Sequence, residues 1–477
     1  MKAHKFCLVV SAFFLISLSG RSQELIVKPY LQPGNVSNLS KEEKILIWQT
    51  DNVVGEFEVT YAAGTSMNTD QKVRSAKILS TSLDLGGSKT IIYRARLNKL
   101  EFDSEFTYSV QLNSESIASE TFKTRTTGNQ VSFVVMGDCC TGTKEQALIA
   151  NRIYELQPDF GMIIGDVVYQ KGLMQEYLQN FFPYYQTTEP NPEKGAPLLG
   201  TIPFYNVIGN HDVLSDDLDK YPDGLAYFYY HDLPMNAPTA QYHIEAKGSK
   251  GVVKQFASDN KPRYPNMANY SFENGNVQVI VLDSNPYSAP LDGVLLPWVV
   301  QELTNSKATW KIMAFHHPVF NSSEAHYDDQ IMRLLVPALE KYGVDMVING
   351  HVHNYQRSVP LKFDPERNAD GTQYVVSPKG EVNGKFILDT EFDGINNTKP
   401  EGIIYIVSGG GGAPLYNYQK TDKPELWLNG PESENPFTEK MVSDKHSFTH
   451  ITTDGTKLVL KQVDKDGNVF DEITVTK

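Results

Sequence analysis

Hydrophobic and polar positions alternate along the first part of the chain. Between residues 24 and 127, short alternating runs such as 55-GEFEVTYAA-63 and 105-EFTYSVQL-112 are separated by turn residues. A period of two is typical of half-buried antiparallel strands, and about seven such strands predict a β-sandwich of about 100 residues. Trp48 and Tyr108 are its predicted buried aromatic residues.

From residue 131 the pattern changes to near-continuous apolar runs separated by helical periods. The predicted strands are 131–136, 160–164, 204–208, 277–282, 310–315, 344–348 and 403–407. Apolar strands of this kind indicate sheets buried on both faces, so this part belongs to the α/β class. The helical segments include 143–157 and 328–343, although Pro337 argues against one unbroken helix in the second.

The remaining segments of this second part have other patterns. Residues 170–200 and 213–268 are polar, aromatic and rich in Pro and Gly, and we predict that they are insertions on the rim. Residues 446–477 alternate and contain two Asp-Gly turns, which predicts a meander of strands.

The amino terminus has the pattern of a secretory signal peptide. Lys2 and Lys5 precede an apolar run from Phe6 to Leu18, and small residues follow. The run is shorter than the roughly 20 residues of a membrane-spanning helix, and no other segment is apolar enough to span a membrane. We therefore predict an exported protein, periplasmic or extracellular, with an uncleaved anchor as the alternative. The predicted divisions are a signal peptide (1–22), an all-β domain (23–127) and an α/β domain (128–477).

Composition and charge restrict the function. The 477 residues include 43 Lys+Arg and 57 Asp+Glu, which gives a formal net charge of −14. This charge argues against polymeric nucleic acid held in a basic groove, and any attraction for phosphate must come from groups other than Lys and Arg. Only Cys139 and Cys140 follow the signal peptide, so we expect small buried residues in a turn and no disulfide framework.

Residues able to bind metal follow the predicted buried strands at five places. In chain order they are Asp138, then Asp166 and Tyr169, then Asn210, then His316, and finally His351 with His353. Because ligands collect outside the carboxyl ends of strands in open α/β sheets, these side chains are expected at one edge. Each alone could be an ordinary turn residue or a packed histidine, but five such ends together indicate a site.

The residue types also indicate which metals would bind. Two carboxylates, a phenol, an amide oxygen and three imidazoles, with no thiolate, suit iron, manganese or zinc. A carboxylate can bridge two ions, and a pair about 3.5–4 Å apart is the usual arrangement for displacement at phosphorus. The sequence therefore predicts a binuclear site that acts on phosphate esters.

The five blocks 137-GD, 165-GDVVY, 209-GNHD, 313-MAFH and 350-GHVH resemble the signature of the purple acid phosphatases, within the calcineurin-like metallophosphoesterases. The resemblance covers most of the chain after the signal peptide. It implies a metallophosphoesterase double β-sheet sandwich flanked by helices, preceded by a fibronectin type III-like domain in which Tyr108 resembles the tyrosine corner. The chain departs from the family's usual pattern at Cys139-Cys140, where a Gly-containing turn is more common, and at Met313.

The resemblance also implies the roles of individual residues. Asp138, Asp166, Tyr169 and His353 match the ligands of an Fe(III) site. Asp166, Asn210, His316 and His351 match those of a divalent site for Zn, Mn or Fe, with Asp166 as the bridge. His211 matches a histidine that contacts phosphate. His326 matches an outer-sphere histidine of the plant enzymes by its spacing in a loop, although a solvated loop histidine would also fit this position.

The implied activity is that of an acid phosphatase on small phosphate monoesters. A hydroxide held by the two ions would attack phosphorus in line, and the ions would supply the attraction for phosphate that the chain's charge does not. His211 would stabilise the developing charge and His326 would protonate the leaving oxygen.

Two other functions stay open. A phosphodiesterase or nucleotidase could use the same site, with residues 170–200 and 213–268 deciding the substrate. A non-catalytic protein that binds a surface through its sandwich is the third hypothesis. Nothing in the sequence indicates an oligomeric state.

Two nearby motifs have more modest interpretations. Gly409–Gly412 lacks the Lys-Ser/Thr of a phosphate-binding loop, and we expect a close approach of backbones there. Tyr355 and Arg357 either line the rim or pack inside.

Overall fold

The computed structural model describes residues 24–53, 55–67, 72–85, 87–416 and 435–477. The predicted signal peptide lies outside these residues. Within them, no helix combines the length and the apolar character needed to cross a membrane.

The first eight strands form two antiparallel sheets of four strands each. They are β1 (Leu25–Gln32), β2 (Lys44–Asp51), β3 (Phe57–Ala63), β4 (Arg74–Ser75), β5 (Ile78–Leu85), β6 (Ser88–Leu97), β7 (Glu105–Leu112) and β8 (Glu115–Lys123). The strand orders are β1-β2-β6-β5 and β4-β3-β7-β8. The alternation of the sequence therefore produces the all-β architecture predicted for this part of the chain.

The predicted aromatic residues lie in the core of these strands. Trp48 and Tyr108 are completely buried, and Trp48 stacks on Tyr93 with ring centres 5.3 Å apart. The Tyr108 hydroxyl donates to the Gly200 carbonyl at 3.0 Å, far along the chain, and not to a carbonyl shortly upstream as in a tyrosine corner. It is Tyr61 that bonds within the sandwich, to the backbone of Asn98. Tyr108 thus fastens the sandwich to the second part of the molecule.

The second part contains two larger sheets. Its strands are β9 (Gln130–Met136), β10 (Phe160–Ile164), β11 (Gln186–Asn191), β12 (Gly195–Pro197), β13 (Phe204–Val207), β14 (Tyr270–Asn274), β15 (Val277–Val281), β16 (Trp310–Ala314), β17 (Met346–Asn349), β18 (Tyr355–Ser358), β19 (Leu361–Pro365), β20 (Gly384–Leu388), β21 (Ile404–Ser408), β22 (Thr438–Val442), β23 (Ser447–Asp454), β24 (Lys457–Asp464) and β25 (Val469–Thr476). The six-stranded sheet has the order β13-β10-β9-β23-β24-β25, and the seven-stranded sheet the order β14-β15-β16-β17-β21-β18-β22. Two hairpins, β11-β12 and β19-β20, complete the set.

Parallel pairing lies at the centre of both large sheets. In the six-stranded sheet, β10 runs parallel to β9 and β13. In the seven-stranded sheet, β15, β16, β17 and β21 are parallel. Each of these sheets therefore brings several strand carboxyl ends to one edge. The buried apolar runs predicted from the sequence are the parallel strands of the two sheets, with β13 at the edge of the six-stranded one.

The helices begin and end where local chemistry dictates. They are α1 (Lys144–Leu156), α2 (Met174–Glu176), α3 (Phe182–Tyr185), α4 (Tyr227–Tyr230), α5 (Lys250–Asp259), α6 (Arg263–Asn266), α7 (Leu295–Asn305) and α8 (Val336–Lys341), with a π-turn at Tyr177–Phe181 and 3₁₀ turns at His211–Val213 and Ile331–Leu335. Thr143 caps α1 by accepting a hydrogen bond from the Gln146 amide at 3.3 Å.

The segment 328–343 is not one helix. A 3₁₀ turn precedes α8, and Pro337 stands in the first turn of α8, where a missing N–H breaks no helical hydrogen bond. The segments 170–200 and 213–268 carry short helices and the β11-β12 hairpin as well as loops, so they are more regular than their composition indicates.

The sandwich packs closely against the second part. Tyr30 belongs to the same buried apolar cluster as the strands of the six-stranded sheet, and its hydroxyl donates to the Tyr230 carbonyl at 2.6 Å. Arg125 is buried at this junction, where it pairs with Glu42 at 2.6 Å and donates to the Glu273 carbonyl at 3.0 Å. The boundary at residues 127–128 stays a prediction.

Candidate metal centre

Three oxygen and nitrogen donors meet beside the end of β9. The Tyr169 hydroxyl lies 2.9 Å from Asp138 Oδ1 and 3.1 Å from His353 Nε2, and His353 Nε2 lies 3.5 Å from the same carboxylate oxygen. All three residues are buried. These are three of the four residues that the resemblance assigns to Fe(III).

A second group of donors converges on His316, just after β16. Its Nε2 lies 3.1 Å from Asn210 Oδ1, 3.3 Å from Asp166 Oδ1 and 3.2 Å from His351 Nδ1. Asp166 and Asn210 follow strands of the six-stranded sheet, whereas His316 and His351 follow strands of the seven-stranded sheet. The four residues assigned to the divalent site therefore lie together in the crevice between the two sheets.

Asp166 lies between the two groups. Its carboxylate contacts His316 in the second group, and the carbonyl of the preceding residue, Gly165, accepts a hydrogen bond at 3.2 Å from the backbone N–H of Asp138 in the first. The backbone N–H of His211 donates to Asp166 Oδ1 at 2.8 Å and holds the side chain in place. This position suits the bridging role that the resemblance implies.

Backbone carbonyls determine which nitrogen each histidine presents. Nδ1 of His316 lies 2.8 Å from the Ile164 carbonyl, and Nδ1 of His353 lies 2.8 Å from the Pro414 carbonyl. A carbonyl only accepts, so each Nδ1 carries a proton and each Nε2 is the nitrogen that faces the crevice. His211 has the same arrangement, with Nδ1 at 2.7 Å from the Gln170 carbonyl.

In the crevice, burial and neighbouring charges shift the pKa values of Asp166 and His316 in opposite directions. Burial alone would raise the pKa of the Asp166 carboxyl, but His316 and its neighbours hold that pKa well below its usual range. Burial lowers the pKa of His316, yet Asp166 outweighs it and brings the pKa to about 9. Burial and then Asp138 raise the pKa of the Tyr169 phenol well above its usual range. Without a cation, His316 is thus charged and Tyr169 neutral at pH 7.

Glycines allow the loops to approach the carboxylates. A Cβ on Gly209 would meet the Asp166 side chain, with Cγ at 3.0 Å, and a Cβ on Gly409 would lie 2.9 Å from Asp138 Oδ2. The glycine run that begins at Gly409 therefore makes the close backbone approach indicated by the sequence, not a phosphate-binding loop.

The two histidines predicted to act on substrate have different positions. His211 Nε2 lies 3.9 Å from Asp166 Oδ2, and its side chain is 24% exposed, so it reaches both the crevice and solvent. His326 lies on a loop with its ring centre 3.9 Å from that of His351. It therefore lies beside the site with its side chain 35% exposed.

Two acidic residues beside the site were not among the predicted site residues. Asp212 is fully buried and accepts hydrogen bonds from the amides of Gly209, at 2.8 Å, and Val167, at 3.1 Å. It ties two ligand loops together, and burial followed by Asp166 raises its pKa. Asp329 lies 3.4 Å from His351 Nε2. Asp212 is the last residue of the block 209-GNHD and Asp329 stands in a loop, and the fold shows what each of them contacts.

Two residue pairs close to the site, Tyr355 with Arg357 and Cys139 with Cys140, are buried. Tyr355 and Arg357 do not line the rim, because both bond to the buried Asp471, at 2.7 Å each. Cys139 and Cys140 are completely buried and free, with their sulfur atoms 3.0 Å apart, as small residues of the Asp138 turn.

The donor atoms fit a pair of metal ions. An ion with bonds of about 2.0–2.2 Å separates its ligand atoms by about 2.9–3.5 Å, and the distances within both groups fall in that range. The described residues also contain two clusters of metal-binding geometry, Asp166-His316-His351 and His326-Asp329-His351.

Comparison with known proteins agrees with this geometry. Residues 131–355 match the family model for calcineurin-like phosphoesterases. A purple acid phosphatase of Glycine max is 26% identical over 66% of this chain and 62% of its own length. A phosphoenolpyruvate phosphatase of Allium cepa is 25% identical over 70% of this chain and 64% of its own length. The chain therefore spans less than two thirds of either relative.

A solved structure shows the same fold. The purple acid phosphatase PPD1 from yellow lupin (Lupinus luteus) seeds matches 94% of this chain and 74% of its own, with a TM-score of 0.61 and 17% sequence identity. The resemblance seen in the five sequence blocks is thus confirmed, as is the metallophosphoesterase fold behind an all-β amino-terminal part.

Proposed function

We propose that this chain is a phosphatase acting on phosphate monoesters. The match of residues 131–355 to the calcineurin-like phosphoesterases supports this proposal. One observation carries the proposal: two groups of metal donors, around the Tyr169 hydroxyl and around His316 Nε2, lie side by side and are joined by the His351 amide, which donates to Asp138 Oδ2 at 2.8 Å. A mononuclear or purely structural site would not need this second set of donors. The names of the soybean and onion relatives are those of monoester phosphatases, which supports the same substrate class.

The residues of the crevice divide between two ions. Asp138, Asp166, Tyr169 and His353 would hold Fe(III), because phenolate and carboxylate are hard anionic donors that stabilise a trivalent ion. Asp166, Asn210, His316 and His351 would hold a divalent ion: Zn, Mn or Fe. When bound, the pair supplies an acidified water for in-line attack on phosphorus and neutralises charge on the phosphoryl oxygens.

The chain's own groups would bind and orient the ester. His211 keeps its Nδ1 proton on the Gln170 carbonyl, which turns Nε2 towards the crevice beside Asp166. A protonated Nε2 there would donate to a phosphoryl oxygen as charge develops on it. His326 is the candidate proton donor to the leaving oxygen, from its position against His351.

The protein's setting is part of the same proposal. The amino-terminal pattern supports export to the periplasm or the outside, and the net charge of −14 supports small phosphate esters over polymeric nucleic acid. We propose that the domain of residues 23–127 is fibronectin type III-like and serves as a scaffold, since Tyr30, Tyr108 and Arg125 fasten it to the second domain.

The test is hydrolysis of an aryl phosphate monoester and the corresponding diester from acid to alkaline pH. The purified mature chain is loaded with iron plus zinc or manganese. We expect two ions per chain and preferred cleavage of the monoester at acid pH. Preference for the diester would move the assignment to a phosphodiesterase or nucleotidase. No hydrolysis of either ester with both ions bound would overturn the proposal and favour the surface-binding hypothesis.

A further inference from the structure

His351 differs from the other ligand histidines in what supports its outer nitrogen. In His316 and His353 the nitrogen that faces away from the crevice meets a backbone carbonyl. In His351 it is Nδ1 that faces the crevice, and Nε2 points outwards to Oδ2 of Asp329 at 3.4 Å. This imidazole is 6% exposed at its side chain, and its Nε2 has no hydrogen-bond partner among the described residues, so the contact with Asp329 is an ion-pair distance and not a formed hydrogen bond.

The same carboxylate oxygen also contacts the neighbouring histidine. Asp329 Oδ2 lies 3.3 Å from His326 Nδ1, and the rings of His326 and His351 are 3.9 Å apart at their centres. One oxygen atom therefore touches both the ligand assigned to the divalent ion and the histidine placed to meet the leaving group.

The backbone holds Asp329 in this position. Gln356 donates to Asn321 Oδ1 and accepts from the Ser322 amide, at 3.0 and 2.7 Å, which ties the start of the loop to β18. A turn then closes with the Asp329 amide donating to the His326 carbonyl at 3.2 Å. The loop that carries the 47% exposed Asp329 side chain is therefore hydrogen-bonded both at its start and at the turn before Asp329.

We propose that Asp329 is a positioning residue that orients His351 towards the divalent ion and His326 towards the leaving group. A carboxylate behind a ligand imidazole fixes its orientation and raises its basicity as a donor, and losing such a partner typically weakens metal binding by about 10–100-fold. The inference rests on the proposed binuclear phosphatase and adds a determinant of its divalent site.

The first test measures divalent-ion affinity, without turnover. Chelator competition with zinc is compared in the wild type, Asp329→Asn and Asp328→Asn. Asp328 is the matched control, because it is the adjacent half-exposed carboxylate and lies near Lys379, not the histidines. We expect zinc to dissociate about 10–100 times more readily from Asp329→Asn and to be unaffected in Asp328→Asn. Equal affinity in all three proteins would overturn the inference.

The second test addresses His326 through a double-mutant cycle on kcat at saturating metal. If one oxygen positions His326, then Asp329→Asn should lower kcat in the wild type and have much less effect in a His326→Ala background. Additive effects would show that Asp329 does not act through His326.

These outcomes are separable from those of the proposed function. Wild-type protein that binds two ions but cleaves no phosphate ester would sink the proposed function and leave the zinc comparison interpretable. If the wild type is a phosphatase but Asp329→Asn binds zinc as tightly as the wild type does, only the inference about Asp329 is overturned. Thermal unfolding of the metal-free variants checks that each one is folded.

Discussion

At the scale of single residues, the crevice is built from hydrogen bonds that select one nitrogen of each histidine. In His316 and His353, Nδ1 donates to a backbone carbonyl and Nε2 faces the crevice. His351 does the opposite, with Asp329 behind it. The orientation of the donors is thus fixed by groups that do not themselves reach the ions, and changes to donors and to their supports should have different signatures.

His211→Ala should separate chemistry from metal binding. Its Nε2 points to the crevice but is not among the donors that lie within ligand distance of one another, so the metal content should stay at the wild-type value. Turnover should fall by about 10²–10³-fold, the usual cost of removing one donor to a developing oxyanion. His243→Ala, which removes a histidine whose Nδ1 also meets a carbonyl, is the matched control. Unchanged turnover in His211→Ala would refute the assigned role.

Asn210→Ala tests the ligand assignment itself. The amide oxygen lies 3.1 Å from His316 Nε2, and no other described side chain is assigned to that coordination position. We expect the metal content to fall from two ions to one, with the iron retained, as measured by elemental analysis of the purified variant. A metal-to-protein ratio equal to that of the wild type would contradict the ligand set.

At the scale of elements, parallel strands explain why the donors could be predicted at all. Each ligand loop follows a buried strand, and the sheets put those strand ends at one edge, so chain order alone brings Asp138, Asp166 and Asn210 together. Asp329 and Asp212 were not predicted as site residues because one contact of each comes from a distant part of the chain, His351 for Asp329 and Val167 for Asp212. Tyr355 and Arg357 were ambiguous for the same reason, since their partner Asp471 lies in the last strand.

Helix boundaries show the complementary limit of the pattern. The apolar spacing of residues 328–343 is the same for a 3₁₀ turn followed by a short helix as for one helix. Pro337 is the residue that argues against a single helix, but its presence does not tell at which residue the 3₁₀ turn ends and the helix begins. Within the sandwich, Tyr108 is buried as expected, but its hydroxyl donates to the Gly200 carbonyl. This partner depends on how the sandwich packs against the second part of the molecule, and not on the local sequence.

Gly209→Ala should show how tightly the strand-end loops are packed. The new Cβ would meet the Asp166 backbone and carboxylate, so the loop has to shift and the divalent site with it. We expect weaker binding of the divalent ion and a loss of about 1–3 kcal/mol in the free energy of unfolding. Gly251→Ala in α5, where nothing lies within 4 Å, is the matched control and should be neutral or slightly stabilising. Equal metal affinity in the two variants would contradict this packing.

At the scale of the whole molecule, acid is expected to destabilise the fold through His231. This residue is completely buried between Tyr177 and Asn206, at 3.1 and 3.2 Å, and burial lowers its pKa to about 3. A histidine with a lowered pKa takes up a proton in the unfolded chain first, from about pH 6.5 downwards. Its contribution to stability is therefore complete above pH 6.5 and is lost progressively as the pH falls towards 3.

The size of this effect can be measured by denaturant unfolding at pH 7 and pH 5. At pH 5 the solution is about 1.5 units below the pKa of histidine in the unfolded chain. His231 alone should therefore lower the free energy of unfolding by about 2 kcal/mol. His231→Gln keeps a polar side chain and removes the titration, so its stability should fall by about 2 kcal/mol less over this interval. The same fall in both proteins would assign the acid sensitivity to other groups.

The pairing of β23 with β9 has a consequence for how the chain reaches its native state. β9 leads to the ligand Asp138, and its antiparallel partner on one side, Ser447–Asp454, comes more than 300 residues later in the chain. Contacts between such distant segments carry a large entropic cost before they form, and folds that depend on them assemble slowly. The sheet that holds Asp138 cannot close until the last three strands have been synthesised. A chain cut short before β23 would leave an open apolar strand edge beside the donors, so it should aggregate and not persist as a smaller enzyme.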